Sequence, residues 1–383
     1  LTKYLVWLVV AANAGVVSAA FASPSLVVPL SVVAALLAVA LFATRKAAAS
    51  SASSSSDARE STRAGAASND VGPASLALPP NYELKERLAG GSMGELWHAR
   101  HRLLGRDVAF KRIKPGAIEG EDTLRFEREA RVLSNLRSPH TVEVFDFGKT
   151  PSGDLYFAME LLDGIDLQAA VREYGPFQPE RVVHLMLQAC ASLSEAHGQG
   201  LVHRDIKPAN LMTCRYGGEF DFLKVLDFGL VKKPPGGGES AAGVTNAATV
   251  LGTPAYLAPE SMSGSKFVDG RADLYALAAV GFWLLTGRLL FVTDKPLEMV
   301  KLHLTEPPPK ASAHSPAAIP GALDSLLLDC LQKKPENRPS SADVVRRRLE
   351  DIPLAARWDR ERAAAWWKER SPARFAKVGG SSS

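Results

Sequence analysis

The sequence is poor in cysteine. Cys190, Cys214 and Cys330 are the three in 383 residues, and none stands at a paired spacing. That excludes a disulfide scaffold and a cysteine-based zinc site, and it fits a reducing compartment. An excess of one charge sign is also missing: 45 Lys and Arg against 41 Asp and Glu leave a net charge of +4. Such a balance argues against nucleic acid as a partner. Residues 353–377 hold seven Lys/Arg and three Asp/Glu, enough to supply the surplus alone. No repeat of fixed period runs through the chain. Charged residues at 22% and hydrophobic ones at 46% exclude wholesale disorder, collagen and coiled coil.

Long hydrophobic runs are confined to the N-terminus. Residues 4–22 are apolar or small, interrupted mainly by Asn13; Ser23-Pro24-Ser25 breaks the run, and residues 26–43 form a second one before Thr44-Arg45-Lys46. At the helical rise each spans about 27 Å, close to the hydrocarbon thickness of a bilayer. Neither has the polar face of a buried soluble helix. The reading is a transmembrane hairpin over residues 1–46, with Lys3 and Arg45/Lys46 holding both ends on the cytoplasmic side. A second reading stays open: Ala20-Phe21-Ala22 resembles a signal-peptide cleavage site, which leaves residues 26–43 as a single anchor. Both predict a cell-membrane protein, multi-pass or single-pass, with the rest of the chain cytoplasmic and the lipid bilayer as a partner. Residues 47–80 are rich in Ser and Ala and nearly free of large apolar side chains. They predict a disordered linker with a reach of roughly 30–35 Å.

From Tyr82 the pattern changes. Short apolar or alternating runs at 82–88, 94–101 and 107–113 predict strands, 123–136 a helix, and further strands follow through Met159. After Leu167 the pattern is mostly helical, at 178–197, 271–285, 297–304, 322–331 and 341–350. Strands followed by helices predict an α+β fold in two lobes over residues 81–352. The tail, 353–383, is basic and carries Trp358, Trp366 and Trp367. Two readings compete for it: the tryptophans pack on the helical lobe, or the segment rests on anionic lipid.

The chemistry begins at Ala89-Gly90-Gly91-Ser92-Met93-Gly94, between two predicted strands. Glycines there let backbone N–H groups approach phosphates, although alone the run reads as a hairpin turn. Val108-Ala109-Phe110-Lys111 then sets a lysine in an apolar strand, and Glu129 lies on the first helix. His203-Arg204-Asp205-Ile206-Lys207-Pro208-Ala209-Asn210 comes next, followed by Asp227-Phe228-Gly229. Gly252-Thr253-Pro254-Ala255-Tyr256-Leu257-Ala258-Pro259-Glu260, Asp273 and Arg338 complete the series. Two acids, an amide, a lysine and a glycine loop are suited to holding Mg²⁺ and a triphosphate.

This ordered set resembles the eukaryotic-like (Hanks-type) serine/threonine protein kinases, especially the bacterial membrane-anchored ones, from about Tyr82 to Ile352. The resemblance implies a two-lobed kinase fold, with a β-rich N-terminal lobe and a helical C-terminal lobe, that uses ATP with Mg²⁺, or Mn²⁺ in its place. It puts Leu88, Ala89, Gly90, Gly91, Ser92, Met93, Gly94, Leu96 and Ala109 at the ATP site, with Gly91, Ser92, Met93 and Gly94 covering the phosphates. Lys111 is then the phosphate-contacting lysine, oriented by Glu129. Met159 stands at the adenine pocket, Glu160 and Leu162 offer the hinge backbone, and Asp166 holds the ribose. Asp205 is the catalytic aspartate, Lys207 steadies the γ-phosphate, and Asn210 and Asp227 are the metal ligands. Lys207 and Thr253 favour Ser/Thr acceptors on protein substrates.

The resemblance also implies regulation. Arg204 is of the kind that pairs with a phosphorylated residue of the 227–260 segment, where Thr249 and then Thr245 are the candidate phosphosites. Autophosphorylation in trans within a homodimer is the expected route. Glu260 and Arg338 are expected to form a structural pair, and Asp273 to brace the catalytic loop. Ala89 replaces the first glycine of the loop and Ala278 a common helix glycine, which implies altered loop flexibility without loss of a catalytic group. A pseudokinase scaffold that binds ATP without transfer is the alternative.

Overall fold

The computed structural model describes residues 78–91, 94–114, 121–229, 254–263, 265 and 267–371. The apolar runs at 4–22 and 26–43, the 47–77 part of the linker, Ser92, Met93, Thr245, Thr249 and Thr253 lie outside the described residues. Among the described residues no helix is long and apolar enough to cross a membrane.

Strands β1 (Tyr82–Gly90), β2 (Gly94–His101) and β3 (Arg106–Ile113) run as an antiparallel meander. They join β5 (Leu155–Glu160) and β4 (Val144–Lys149) in one sheet of order β1-β2-β3-β5-β4. Because side chains alternate along a strand, β3 serves two faces. Val108 and Phe110 join Tyr82, Trp97 and Tyr156 in an outer cluster, whereas Ala109 and Ile113 join the main core, and Lys111 shares their side. Helix α1 (Glu121–Asn135) covers this second face with Phe126, Ala130 and Leu133, four and three residues apart on one stripe.

The second lobe begins with β6 (Gly164–Asp166) and α2 (Leu167–Tyr174), then α3 (Pro179–Gly198). Strands β7 (Leu211–Tyr216) and β8 (Glu219–Val225) follow and pair with β6 in a small sheet. The sequence reading had this stretch as mostly helical; the hairpin interrupts it. Further on come α4 (Pro259–Met262), α5 (Arg271–Thr286), α6 (Pro296–Thr305), α7 (Gly321–Cys330), α8 (Ala342–Glu350) and α9 (Arg360–Arg370). Helix α5 is buried on all sides from Ala272 to its end, as expected of a helix apolar all round. Arg338 and Glu260 make a bidentate pair at 2.7 and 2.8 Å, and the other guanidinium donors reach the carbonyls of Gln332, Lys333 and Arg271.

Beside α5, the hydroxyl of Tyr275 lies 2.8 Å from His303 Nδ1, and Phe291 meets the imidazole edge-on. Burial, with the cation of Lys333, pushes His303 down to about 4. The unfolded chain, with an imidazole near 6.5, therefore takes up this proton before the folded one does. The contribution to stability is complete above about pH 6.5 and is lost as pH falls towards 4, reaching about 2 kcal/mol at pH 5. Urea unfolding at pH 7 and pH 5 should show a smaller loss in His303→Phe than in the wild type. An equal loss in both would refute this assignment.

Candidate active site

The β1–β2 turn is closed by Gly91 N–H donating to the carbonyl of Gly94, 2.9 Å away. Ala89 pairs with Leu96 and Gly90 with Glu95. Two of the glycines serve different ends. A Cβ on Gly94 would stand 2.3 Å from the carbonyl oxygen of Arg112, so β2 needs a glycine there to lie against β3. Among the described residues, a Cβ on Gly91 would meet nothing within 4 Å. Packing therefore does not demand Gly91, and its bare backbone suits the approach of a phosphate. Leu88 is 44% exposed on β1.

Beneath the turn, Lys111 Nζ lies 2.5 Å from Asp227 Oδ1. Glu129 faces Arg204, 3.6 Å from its Nη1. The structure thus has these two pairs in place of the Lys111–Glu129 pair implied by the resemblance. Asp227 and Arg204 are both non-glycine residues at positive φ, 49° and 61°, a conformation that bulky side chains rarely adopt and that concentrates at functional sites. Behind Lys111 and Asp227 is a cavity of about 30 Å³ lined by Leu133, Val144, Phe157 and Met159. Ala109 is the cross-strand partner of Met159.

The catalytic-loop candidates converge. Lys207 Nζ donates to Asp205 Oδ2 at 2.9 Å. Asn210 Nδ2 donates to the same oxygen at 3.0 Å and to the Asp205 carbonyl at 2.8 Å. With its amide nitrogen so used, Asn210 keeps Oδ1 as an oxygen donor. Asp273 holds the loop from below: its carboxylate accepts the backbone N–H of His203 and of Arg204, both at 2.8 Å. His203 is fully buried; its Nδ1 accepts from Asp205 N–H, so Nε2 carries the proton and donates to the Leu226 carbonyl at 2.8 Å. Burial lowers its pKa, in keeping with a neutral ring. The His203 imidazole therefore ties the backbone at Asp205 to the backbone at Leu226, beside Asp227.

The hinge side is more mixed. Asp166 caps α2 by accepting the Ala169 N–H at 2.8 Å, a structural use of the proposed ribose residue. Glu160 ends β5, and its side chain turns to a partner that the sequence reading missed. Lys224 Nζ lies 2.6 Å from Glu160 Oε1, with the lysine side chain 3% exposed. The same ammonium stands over the rings of Tyr216 and Phe222. In sequence Lys224 sits between Leu223 and Val225, in a stretch read as mostly helical, and nothing there singles it out. Leu162 follows β5 by two residues and is half-buried. Asn210 and Asp227 supply hard oxygens, the donor type Mg²⁺ prefers, and Lys111 and Lys207 supply positive charge. Such a set can hold a metal-bound polyphosphate and present a carboxylate to a hydroxyl.

The tail contributes a second buried centre. Asp221, on β8 at φ 53°, is completely buried. It accepts two bonds from Arg181, one from Thr213, and one each from the indoles of Trp358 and Trp367 at 2.9 and 2.7 Å. The Arg181 guanidinium lies over Trp366 and Phe177. The tryptophans thus pack on the helical lobe.

The profile of the protein kinase domain family matches residues 82–349. The chain is 38% identical over 273 residues to the serine/threonine-protein kinase pkn3 of Myxococcus xanthus, covering 71% of this chain and 50% of that one. It is 38% identical over 274 residues to the serine/threonine-protein kinase PknB of Mycobacterium tuberculosis, covering 70% of this chain and 42% of that one. The match thus spans half or less of these curated relatives. Among solved structures, the chain is similar to the PknI kinase domain of Mycobacterium tuberculosis, with 28% identity and a TM-score of 0.55, covering 72% of this chain and 97% of that one.

Proposed function

The chain belongs to the protein kinase domain family, and from that premise we propose that it transfers the γ-phosphoryl group of MgATP to serine and threonine hydroxyls of proteins. The observation that carries this reading is a pair of linked clusters: Lys111 meets Asp227, Asp205 meets Lys207 and Asn210, and the Leu226 N–H joins the two segments at the Asn210 carbonyl. Asn210 Oδ1 and the Asp227 carboxylate are the residues for Mg²⁺ or Mn²⁺, which when bound neutralises phosphate charge. Gly90, Gly91, Ser92, Met93 and Gly94 cover the phosphates, and Lys111 contacts them. Asp205 aligns the acceptor hydroxyl and takes its proton. Lys207 is set 2.9 Å from Asp205 and holds the charge of the transferred group. Catalysis by such a site is chiefly positioning and charge stabilisation.

Regulation follows from the same residues. Phosphate on Thr249, or on Thr245, draws Arg204 from Glu129, which frees the glutamate for Lys111. Residues 4–22 and 26–43 anchor the enzyme in the cell membrane, with the kinase domain cytoplasmic and a second copy the partner for autophosphorylation.

The test is incubation of the full chain in lipid with MgATP beside Lys111→Met, with sites mapped by mass spectrometry. Phosphoserine or phosphothreonine in the wild type alone is expected. Nucleotide binding without any transfer would replace this reading with a pseudokinase scaffold.

A further inference from the structure

The turn between β2 and β3 puts two adjacent large apolar side chains into solvent. Leu103 is 82% exposed and Leu104 71%. Single exposed leucines are ordinary on a protein surface; an adjacent pair at a loop tip is less so. The turn is also well fixed. Gly105 takes φ +62° and donates its N–H to the His101 carbonyl at 2.8 Å, and Leu104 N–H donates to His101 Nδ1 at 3.2 Å.

Cations surround the tip. Arg100 and Arg102 have half-exposed side chains, 3.7 Å from Asp107 and 3.9 Å from Glu83. Lys85 takes Asp107 at 2.6 Å, and the Arg106 guanidinium lies over the ring of Phe145. His98 lies 3.2 Å from Asp107 and 3.5 Å from Glu86. Four cations, Lys85, Arg100, Arg102 and Arg106, thus stand with three carboxylates, Glu83, Glu86 and Asp107, and two apolar side chains project beside them. That combination suits the boundary of an anionic bilayer, where leucine meets acyl chain and arginine meets phosphate.

The place where the chain enters the fold points to the same occupant. Arg102 N–H donates to the Asn81 carbonyl at 2.8 Å, and Tyr82 pairs with His101, ring against ring at 5.1 Å. The corner that bears Leu103 and Leu104 is therefore the corner at which the chain arrives from residues 1–77, with their two apolar runs. We propose that this turn is a lipid-contact tip that seats the sheet-bearing lobe on an anionic membrane surface. The proposal rests on the reading of the apolar runs as a membrane anchor. Given that anchor, the linker keeps the tip at high effective concentration near the bilayer, so a weak contact suffices. A preformed turn also loses little conformational freedom on docking.

The three cysteines are buried, and burial pushes the thiols of Cys214 and Cys330 up to about 12, so a new surface cysteine can be labelled selectively. The full chain carrying Leu104→Cys, labelled with an environment-sensitive fluorophore, is placed in nanodiscs of phosphatidylcholine with or without phosphatidylserine. A label at exposed Asp351→Cys is the reference. Quenching by headgroup-proximal spin-labelled lipid should be about threefold stronger at position 104 than at 351 in anionic discs. It should weaken in neutral discs and in the Leu103→Asp background. Equal quenching at the two positions, in a chain that resists alkaline carbonate extraction, overturns the tip and leaves the anchor standing. Extraction by carbonate overturns the anchor and the tip with it. A signal that requires two copies per disc assigns the turn to a protein contact and also overturns the proposal.

Discussion

Asp205→Asn will lower phosphoryl transfer by about 10²- to 10⁴-fold, the range typical of losing a positioned general base, while leaving nucleotide affinity and thermal stability near those of the wild type. The geometry separates the two effects. Asp205 Oδ2 accepts from Lys207 and Asn210, and an asparagine offers one oxygen of similar reach. Its backbone N–H still meets His203 Nδ1, and Asp273 still holds the loop beneath it. What disappears is the negative charge that orients a hydroxyl and accepts its proton. The nucleotide-facing groups Lys111 and Asp227 pair with each other and not with Asp205. Steady-state kinetics with a peptide substrate should therefore show the loss in kcat, with the KM for ATP changed less than about threefold. A fall in kcat of less than tenfold would remove Asp205 from its assigned role. A lost thermal shift with ATP would mean that the substitution had disturbed binding instead.

Much of this architecture was legible in the sequence because it is carried by local pattern. The strand reading at 94–101 and the helix starting at Arg271 coincide with β2 and α5, and the reading at 178–197 differs from α3 by one residue at each end. The chemical groups were legible through the family resemblance, which singled out Asp205, Lys207 and Asn210, and their side chains meet directly. Pairing over distance was not legible. Nothing near Glu129 signals that Arg204, far along the chain, would face it. Lys224 escaped for a different reason. It falls in a stretch read as mostly helical and carries no motif, yet the hinge carboxylate and two aromatic rings enclose it. Strands β7 and β8 were hidden because a short hairpin among helices has too few residues to establish a period.

Asp221→Ala will destabilise the fold by about 3–5 kcal/mol, the cost of removing one partner from a buried ion pair. The alanine leaves the Arg181 side chain, 1% exposed, with its charge in the interior and no anion. It also strands the Thr213 hydroxyl and the indole N–H groups of Trp358 and Trp367. At roughly 2–4 °C per kcal/mol for a domain of this size, the midpoint of thermal unfolding should fall by about 10 °C. Trp358→Phe and Trp367→Phe each remove a single bond to a carboxylate and should cost about 1.5–3 kcal/mol. Ending the chain after Ile352 removes both indoles and uncovers the pair. It should destabilise more than either tryptophan change but less than their packing area suggests, because water then reaches Arg181 and Asp221. The informative variant is Arg181→Met with Asp221→Leu. If charge burial dominates, this apolar pair should be more stable than Asp221→Ala alone, since neither desolvated ion remains. If the double variant is no better than the single one, the geometry of the indole bonds matters more than the charge. If Asp221→Ala melts with the wild type, the tail does not brace β8 through this carboxylate.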